Sequence, residues 1–232
     1  MTSRTDTDTP AGRRPVRGRP PRGSSNLSKA AIVDAALAEI DAHGLDGISL
    51  RSVARRLNVD AKSLYNHVEG KDGLLDAVTE HFLATLELPE ATGQADADLK
   101  AFARAFRRHA LAHSRATPLV LSRQTESVAS MVPLEAALTL LLNVIPDHRR
   151  AVRLLRMLMA TLIGAILREV DAGLTFGSTE SEGVARRKAV LEGSGLPNVM
   201  AAADHIATFD RDEEFEATID LALRAVASEI GS

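Results

Sequence analysis

Residues 49–71, SLRSVARRLNVDAKSLYNHVEGK, hold two short helical patterns with a break between them. Leu50, Val53, Ala54 and Leu57 recur at i, i+3, i+4 and i+7, which is one apolar face of a helix. Asn58 and Val59 interrupt that face, and Asp60 is a good N-cap for a second helix over 61–67. A helix, a tight turn and a second short helix make the helix-turn-helix pattern.

The charges agree. Arg51, Arg55, Arg56, Lys62 and Lys71 stand in this stretch against Asp60 and Glu69, in a chain of 232 residues whose formal net charge is −3. Positive charge is therefore concentrated where a polyanion would lie. On the second helix Leu64 and Val68 can point inward, which leaves Ala61, Lys62, Ser63, Tyr65, Asn66 and His67 outward. Small polar residues at a helix start can approach base edges, Asn can pair with adenine, and Tyr, His and Lys suit phosphate. The candidate DNA contacts are Ser49, Arg51, Ala61, Lys62, Ser63, Tyr65, Asn66, His67 and Lys71. The bland alternative is a three-helix core with a solvated polar face.

Length and composition bound the rest. With 45% apolar residues, the chain can bury a substantial core in one or two domains. Cysteine is absent, which removes thiol nucleophiles, disulfides and cysteine-based metal sites. No apolar run reaches the length of a membrane span, and the N-terminus lacks a signal-peptide core, so a cytoplasmic protein with no membrane partner is expected.

Residues 1–26 carry six Arg, four Pro and three Gly with almost nothing apolar, the composition of a disordered basic tail. Within them Arg17, Gly18, Arg19 and Pro20 resemble an AT-hook, whose two arginines enter a narrow minor groove; a flexible arm that only adds phosphate affinity is the other reading. A first helix is expected over 28–43, capped by Ser28 and stopped by Gly44. A fourth follows Gly70 over 71–86, and the domain boundary is placed near 89–94. Residues 27–88 would thus form a DNA-binding domain with a linking helix, and 95–232 a larger helical one. Beyond the break helical spacing recurs over 96–114, 133–145, 148–172, 199–207 and 210–230, with a short apolar stretch after Pro118. Five glycines between Gly173 and Gly195 predict a long mobile loop over 174–197. No strand pattern or internal repeat is present in the sequence, so an all-α fold is expected.

Residues 32–78, IVDAALAEIDAHGLDGISLRSVARRLNVDAKSLYNHVEGKDGLLDAV, resemble the tetracycline-repressor family of bacterial regulators. That resemblance implies a helix-turn-helix over 49–67, phosphate contacts by Tyr65 and Lys71, and DNA contacts by Ala61, Lys62, Ser63 and His67. The spelling of residues 64–68 is similar to the tetracycline-repressor branch itself, with Asn66 in place of its usual Trp. Residues 161–171, TLIGAILREVD, look like the family's long eighth helix, which with the last helix would build a four-helix bundle across a homodimer. Both helices are independently too apolar and Ala-rich to stand solvated as a pair. The family further implies a small-molecule effector in the helical domain that biases one of two dimer shapes. Candidate effector contacts are Phe102, Phe106, His109, His113, Gln124, Met131, Met157 and Phe176, an apolar set with few polar groups. Residues 116–126, ATPLVLSRQTE, lack the histidine that helps the tetracycline repressor hold its magnesium–drug chelate, so tetracycline is not implied. His109 and His113 share a helix face at i, i+4, but HALAH offers no third ligand; neither a metal nor a cofactor is expected.

The expected protein is a homodimeric regulator, most often a repressor, released from a palindromic operator in double-stranded DNA by an effector. An effector-independent architectural DNA binder is the alternative. No Ser/His/Asp set, phosphate loop or Cys supports an enzyme.

Overall fold

The computed structural model describes residues 27–123, 127–170 and 177–230. The expected basic tail, with Arg17 and Arg19, and the candidate contacts Gln124 and Phe176 lie outside the described residues. Helices α1 (Lys29–Gly47), α2 (Leu50–Leu57), α3 (Ala61–Leu64) and α4 (Gly70–Ala84) come first. They are followed by α5 (Ala95–Ala112), α6 (Thr117–Ser122), a 3-10 turn at Ala129–Met131, α7 (Val132–Leu142) and α8 (His148–Val170). The chain closes with α9 (Ser181–Glu192), α10 (Pro197–Ala201), α11 (Ala203–Ala207) and α12 (Arg211–Ile230). Among the described residues the only extended pairing is an isolated bridge between Ser178 and Thr208, so the fold is all-α as expected.

Local chemistry sets the head. The Ser28 hydroxyl accepts from the Ala31 N–H at 3.1 Å and starts α1. Gly44 takes φ 76°, which ends the regular part of α1 where a C′ glycine was expected and leaves a short further turn to Gly47. Ser49 and Ser52 cap α2 reciprocally: the Ser52 N–H donates to Ser49 Oγ at 3.0 Å and the Ser49 N–H to Ser52 Oγ at 2.9 Å. Asn58 ends α2 in the left-handed region at φ 54°, a conformation that its short polar side chain tolerates. Asp60 Oδ1 then accepts from the Lys62 N–H at 2.8 Å and starts α3.

Three expectations on element bounds are corrected. The second helix of the motif is a single α-turn, Ala61–Leu64, and the chain continues through 65–67 as turns, with the His67 and Val68 N–H groups both donating to the Leu64 carbonyl. Val68 must drop into the core and Gly70 turn to φ 71°, so the α-spiral cannot continue. The loop expected over 174–197 contains the twelve-residue α9, whose Val184 and Leu191 join Ala203 and Ala207 in a small separate core. Its glycines punctuate rather than dissolve it, because Gly193 and Gly195 follow its last turn. The single helix expected over 199–207 is two, broken at Ala202.

Two large cores are present. Ile32, Ile40, Val53, Leu64, Leu74 and Val78 centre the head cluster, and Phe102, Phe106, Leu141, Leu155, Ile166 and Phe215 centre the body cluster. In the body, Arg107 holds Glu169 late in α8 and Asp212 early in α12, while Arg150 early in α8 holds Glu229 late in α12. These pairs fix α8 and α12 antiparallel.

Packing does not divide at the linker. Phe82 and Leu86, in and just after α4, belong to the body core, and Ala116 and Leu119, before and in α6, belong to the head core. Helix α4 is a wall shared by the two cores.

Candidate functional site

Leu64 and Val68 are buried, as their spacing requires, and act as the pegs that hold α3 and the following turn against α1, α2 and α4. Lys62, Tyr65, Asn66 and His67 consequently face solvent, with Ala61 and Ser63 half-buried beside them. Tyr65 is 62% exposed, an uncovered ring whose hydroxyl is free to bond outside the chain. Lys71 lies exposed in the first turn of α4, and Arg51 in the first turn of α2. Neither these two nor Lys62 forms an ion pair among the described residues, so all three charges are available to a partner. Ser49 is placed differently from the others: its hydroxyl is engaged in the α2 cap.

The basic character of the segment is partly internal. Arg56 donates to Glu39 at 3.2 Å, and Arg55 stands 3.8 Å from the same carboxylate, which is buried on α1. Those two arginines tie α2 to α1, a role that charge counting does not separate from surface charge.

The joint between head and body carries its own contacts. His113 Nδ1 pairs with Asp41 of α1 at 2.8 Å, and Arg115 donates to the Ala42 carbonyl at 2.6 Å. His109 Nε2 donates to the Phe82 carbonyl at 2.9 Å, and its ring packs edge-on against Phe82 at 4.4 Å. Burial pushes the His109 pKa down, the Phe82 carbonyl opposes this, and His113 and His81 add to it. Arg123, just after α6, donates to Asp76 at 2.5 Å and to Asp72 at 3.2 Å, both on α4. His109 and His113 thus stand at the joint, and neither lines the cavities described below; among the described residues no three groups converge as metal ligands.

Two cavities meet at Phe102 in the body, and a third of about 350 Å³ lies beside Arg168, Ser178, Glu180, Phe209 and Arg211. The inner one, of about 30 Å³, is lined by Leu99, Phe102, Ala103, Ala137, Leu155 and Leu162. The outer one, of about 180 Å³, is bounded by Leu88, Glu90, Asp98, Phe102, Ala136 and Thr139. Of the expected effector contacts, Phe102 lines both. Phe106 and Met157 pack in the surrounding core, and Met131 is exposed before α7. The small aliphatic walls were missed because nothing in their spacing separates a cavity lining from ordinary core.

An uncovered basic helix-turn-helix, wedged through α4 onto a helical body with internal cavities, defines a DNA-binding regulator. Residues 32–78 match the family profile of bacterial regulatory proteins, tetR family, and residues 88–229 match the tetracyclin repressor-like C-terminal domain. The chain belongs to the TetR family of bacterial transcriptional regulators. The HTH-type transcriptional repressor DrrR1 of Streptomyces coeruleorubidus is 32% identical over 201 residues, covering 82% of this chain and 72% of that protein. The class D tetracycline repressor of Escherichia coli is 34% identical over 87 residues, a partial match covering 36% of this chain and 40% of the repressor. Among solved structures, ActR of Streptomyces coelicolor in complex with actinorhodin superposes with a TM-score of 0.78 at 26% identity, covering 88% of this chain and 97% of ActR. Apo ActR gives a TM-score of 0.76 over 90% of this chain and all of that one. The family is one of regulators, which answers the enzyme alternative. Among the described residues no helix is long and apolar enough to cross a membrane.

Proposed function

We infer that the chain works as a homodimeric repressor that holds a palindromic operator and is released by a small-molecule effector. The observation that carries this reading is the double membership of α4: Leu74 and Val78 lie in the head core, and Phe82 lies in the body core that also holds the cavity wall Phe102. A ligand that prefers one packing of the body therefore biases the placement of the head, and DNA biases the body in return. In each head the exposed residues Lys62, Tyr65, Asn66 and His67 enter the major groove, with Arg51, Tyr65 and Lys71 on phosphates. Two heads related by a two-fold axis read half-sites one or more helical turns apart. The relatives support the direction of the response, since DrrR1 is a repressor and ActR has been solved with actinorhodin.

The test is fluorescence anisotropy of the purified chain on DNA flanking its own gene, titrated with salt. Saturable binding at one palindrome with two chains per site is expected. Tyr65→Phe and Lys71→Ala should each weaken every operator, and Lys71→Ala alone should lower the salt slope by about one, because only it removes a charge. Weak, sequence-blind binding that vanishes at moderate salt would return the architectural alternative.

A further inference from the structure

Phe102, on α5, is shared by the inner and outer cavities. On its inner side Leu99, Ala103, Ala137, Leu155 and Leu162 present no polar side chain, and at about 30 Å³ the space holds little more than one methyl or water. On its outer side the polar side chains are Glu90, Asp98 and Thr139, and neither cavity is lined by Lys, Arg or His. Asp98 is only 4% exposed. Its carboxylate accepts from the Thr92 N–H at 2.9 Å, the Thr92 hydroxyl at 2.7 Å and the Gly93 N–H at 3.0 Å. The Thr92 backbone bond first, then its hydroxyl, hold the carboxyl below its ordinary range against the opposing effect of burial, so it stays ionised at neutral pH. A fixed negative charge in the wall, with no cation lining the space, disfavours an anion that enters.

We propose that Phe102 is the specificity-determining partition of a two-chamber effector site, which takes a lipophilic ring compound bearing no anionic group. This rests on the effector-responsive reading above. The ring of the ligand displaces the Phe102 side chain and occupies the apolar chamber, and its uncharged end stays outside, beside Glu90 and Thr139.

Two fluorescent probes test it, because phenylnaphthylamine and anilinonaphthalene sulfonate share one ring skeleton and differ by a sulfonate. Titrated on the full chain, the uncharged probe should saturate at one site per chain, and the sulfonate should displace it about tenfold more weakly. Phe102→Leu, which thins the partition, should tighten the uncharged probe several-fold. Ala136→Phe, which fills the outer chamber, should abolish its binding, and Glu90→Gln should narrow the gap between the two probes. Displacement by the sulfonate at equal or lower concentration overturns the proposal, as does absence of saturable binding by the uncharged probe. Unchanged affinity in both Phe102→Leu and Ala136→Phe overturns it too. Operator release is read separately. An uncharged probe that binds as expected yet leaves the DNA complex intact removes the effector reading and keeps the charge preference. Release by both probes at the same concentration does the reverse.

Discussion

His109 shows how one side chain can link acidity to the joint. The Phe82 carbonyl can only accept, so Nε2 carries the proton, and burial keeps the ring neutral by lowering its pKa from the ordinary 6.5. A histidine whose folded pKa is depressed binds its second proton more readily when unfolded, so stability is complete above pH 6.5 and is lost as pH falls below it. The melting temperature should therefore drop between pH 7.5 and 5.5, and His109→Gln, which keeps a donor toward Phe82, should flatten that drop. The carboxylates Asp41 and Glu87 lie within reach of the same cluster, so the variant must be compared with wild type across the whole pH range. An unchanged pH profile in His109→Gln would remove the ring from the explanation. At Ser49 the expectation is different again. Its hydroxyl caps α2, so Ser49→Ala should cost about 1 kcal/mol of stability, measured by denaturant unfolding, and operator affinity should fall no further than that loss explains. A large affinity loss without destabilisation would restore Ser49 as a DNA contact.

Among elements, those with a local signal were legible and those set by tertiary partners were not. Helix α2 announced itself through Leu50, Val53, Ala54 and Leu57, and its start and stop through Ser49 and Asn58. Helix α9 did not, because Gly183 and the later Gly193 and Gly195 raise glycine density around it, while its anchor, Leu191, acquires meaning only when Ala203 and Ala207 arrive from further along the chain. The solvent-facing residues of the motif were readable from Leu64 and Val68 alone, since a short element with two inward pegs leaves the others outside. The joint was not, because Arg123 meets Asp76 and Asp72 across about fifty positions of sequence. That pair is partly exposed, so it adds at most about 1 kcal/mol to stability. Its effect should appear in head placement instead. Arg123→Ala and Asp76→Asn should each weaken operator binding by about two- to fivefold with little change in melting temperature, and the double variant should be no worse than either single one. Additive losses would show that the two residues act separately.

For the molecule as a whole, the face formed by α8 and α12 leaves small and apolar residues exposed. Ala160 and Gly164 are exposed on α8, nothing among the described residues beyond its own helix backbone and chain neighbours lies within 4 Å of where a Gly164 Cβ would stand, and Leu221 on α12 is 61% exposed. The sequence strip of Met157, Ala160, Thr161, Gly164 and Ala165 is split by the fold: Ala165 is buried inside, Met157 and Thr161 are half-buried, and Ala160 and Gly164 remain outside, flanked by the half-buried Ile163 and Leu167. Small residues permit close approach of another helix, and a second copy of the same face is the occupant that the proposed two-fold operator complex predicts. In a two-fold interface a substitution is present twice and tends to meet its own copy, which makes one charge unusually disruptive. Leu221→Glu should therefore leave helical content unchanged, because that side chain lies outside the protomer core. Sedimentation equilibrium should give the wild type twice the chain mass of 24.8 kDa and the variant that mass once. Operator affinity of the variant should collapse toward that of a single half-site, since two heads no longer bind as a unit. A wild type that sediments at 24.8 kDa across micromolar concentrations, or a Leu221→Glu chain that remains dimeric and binds normally, would place the contact between copies elsewhere.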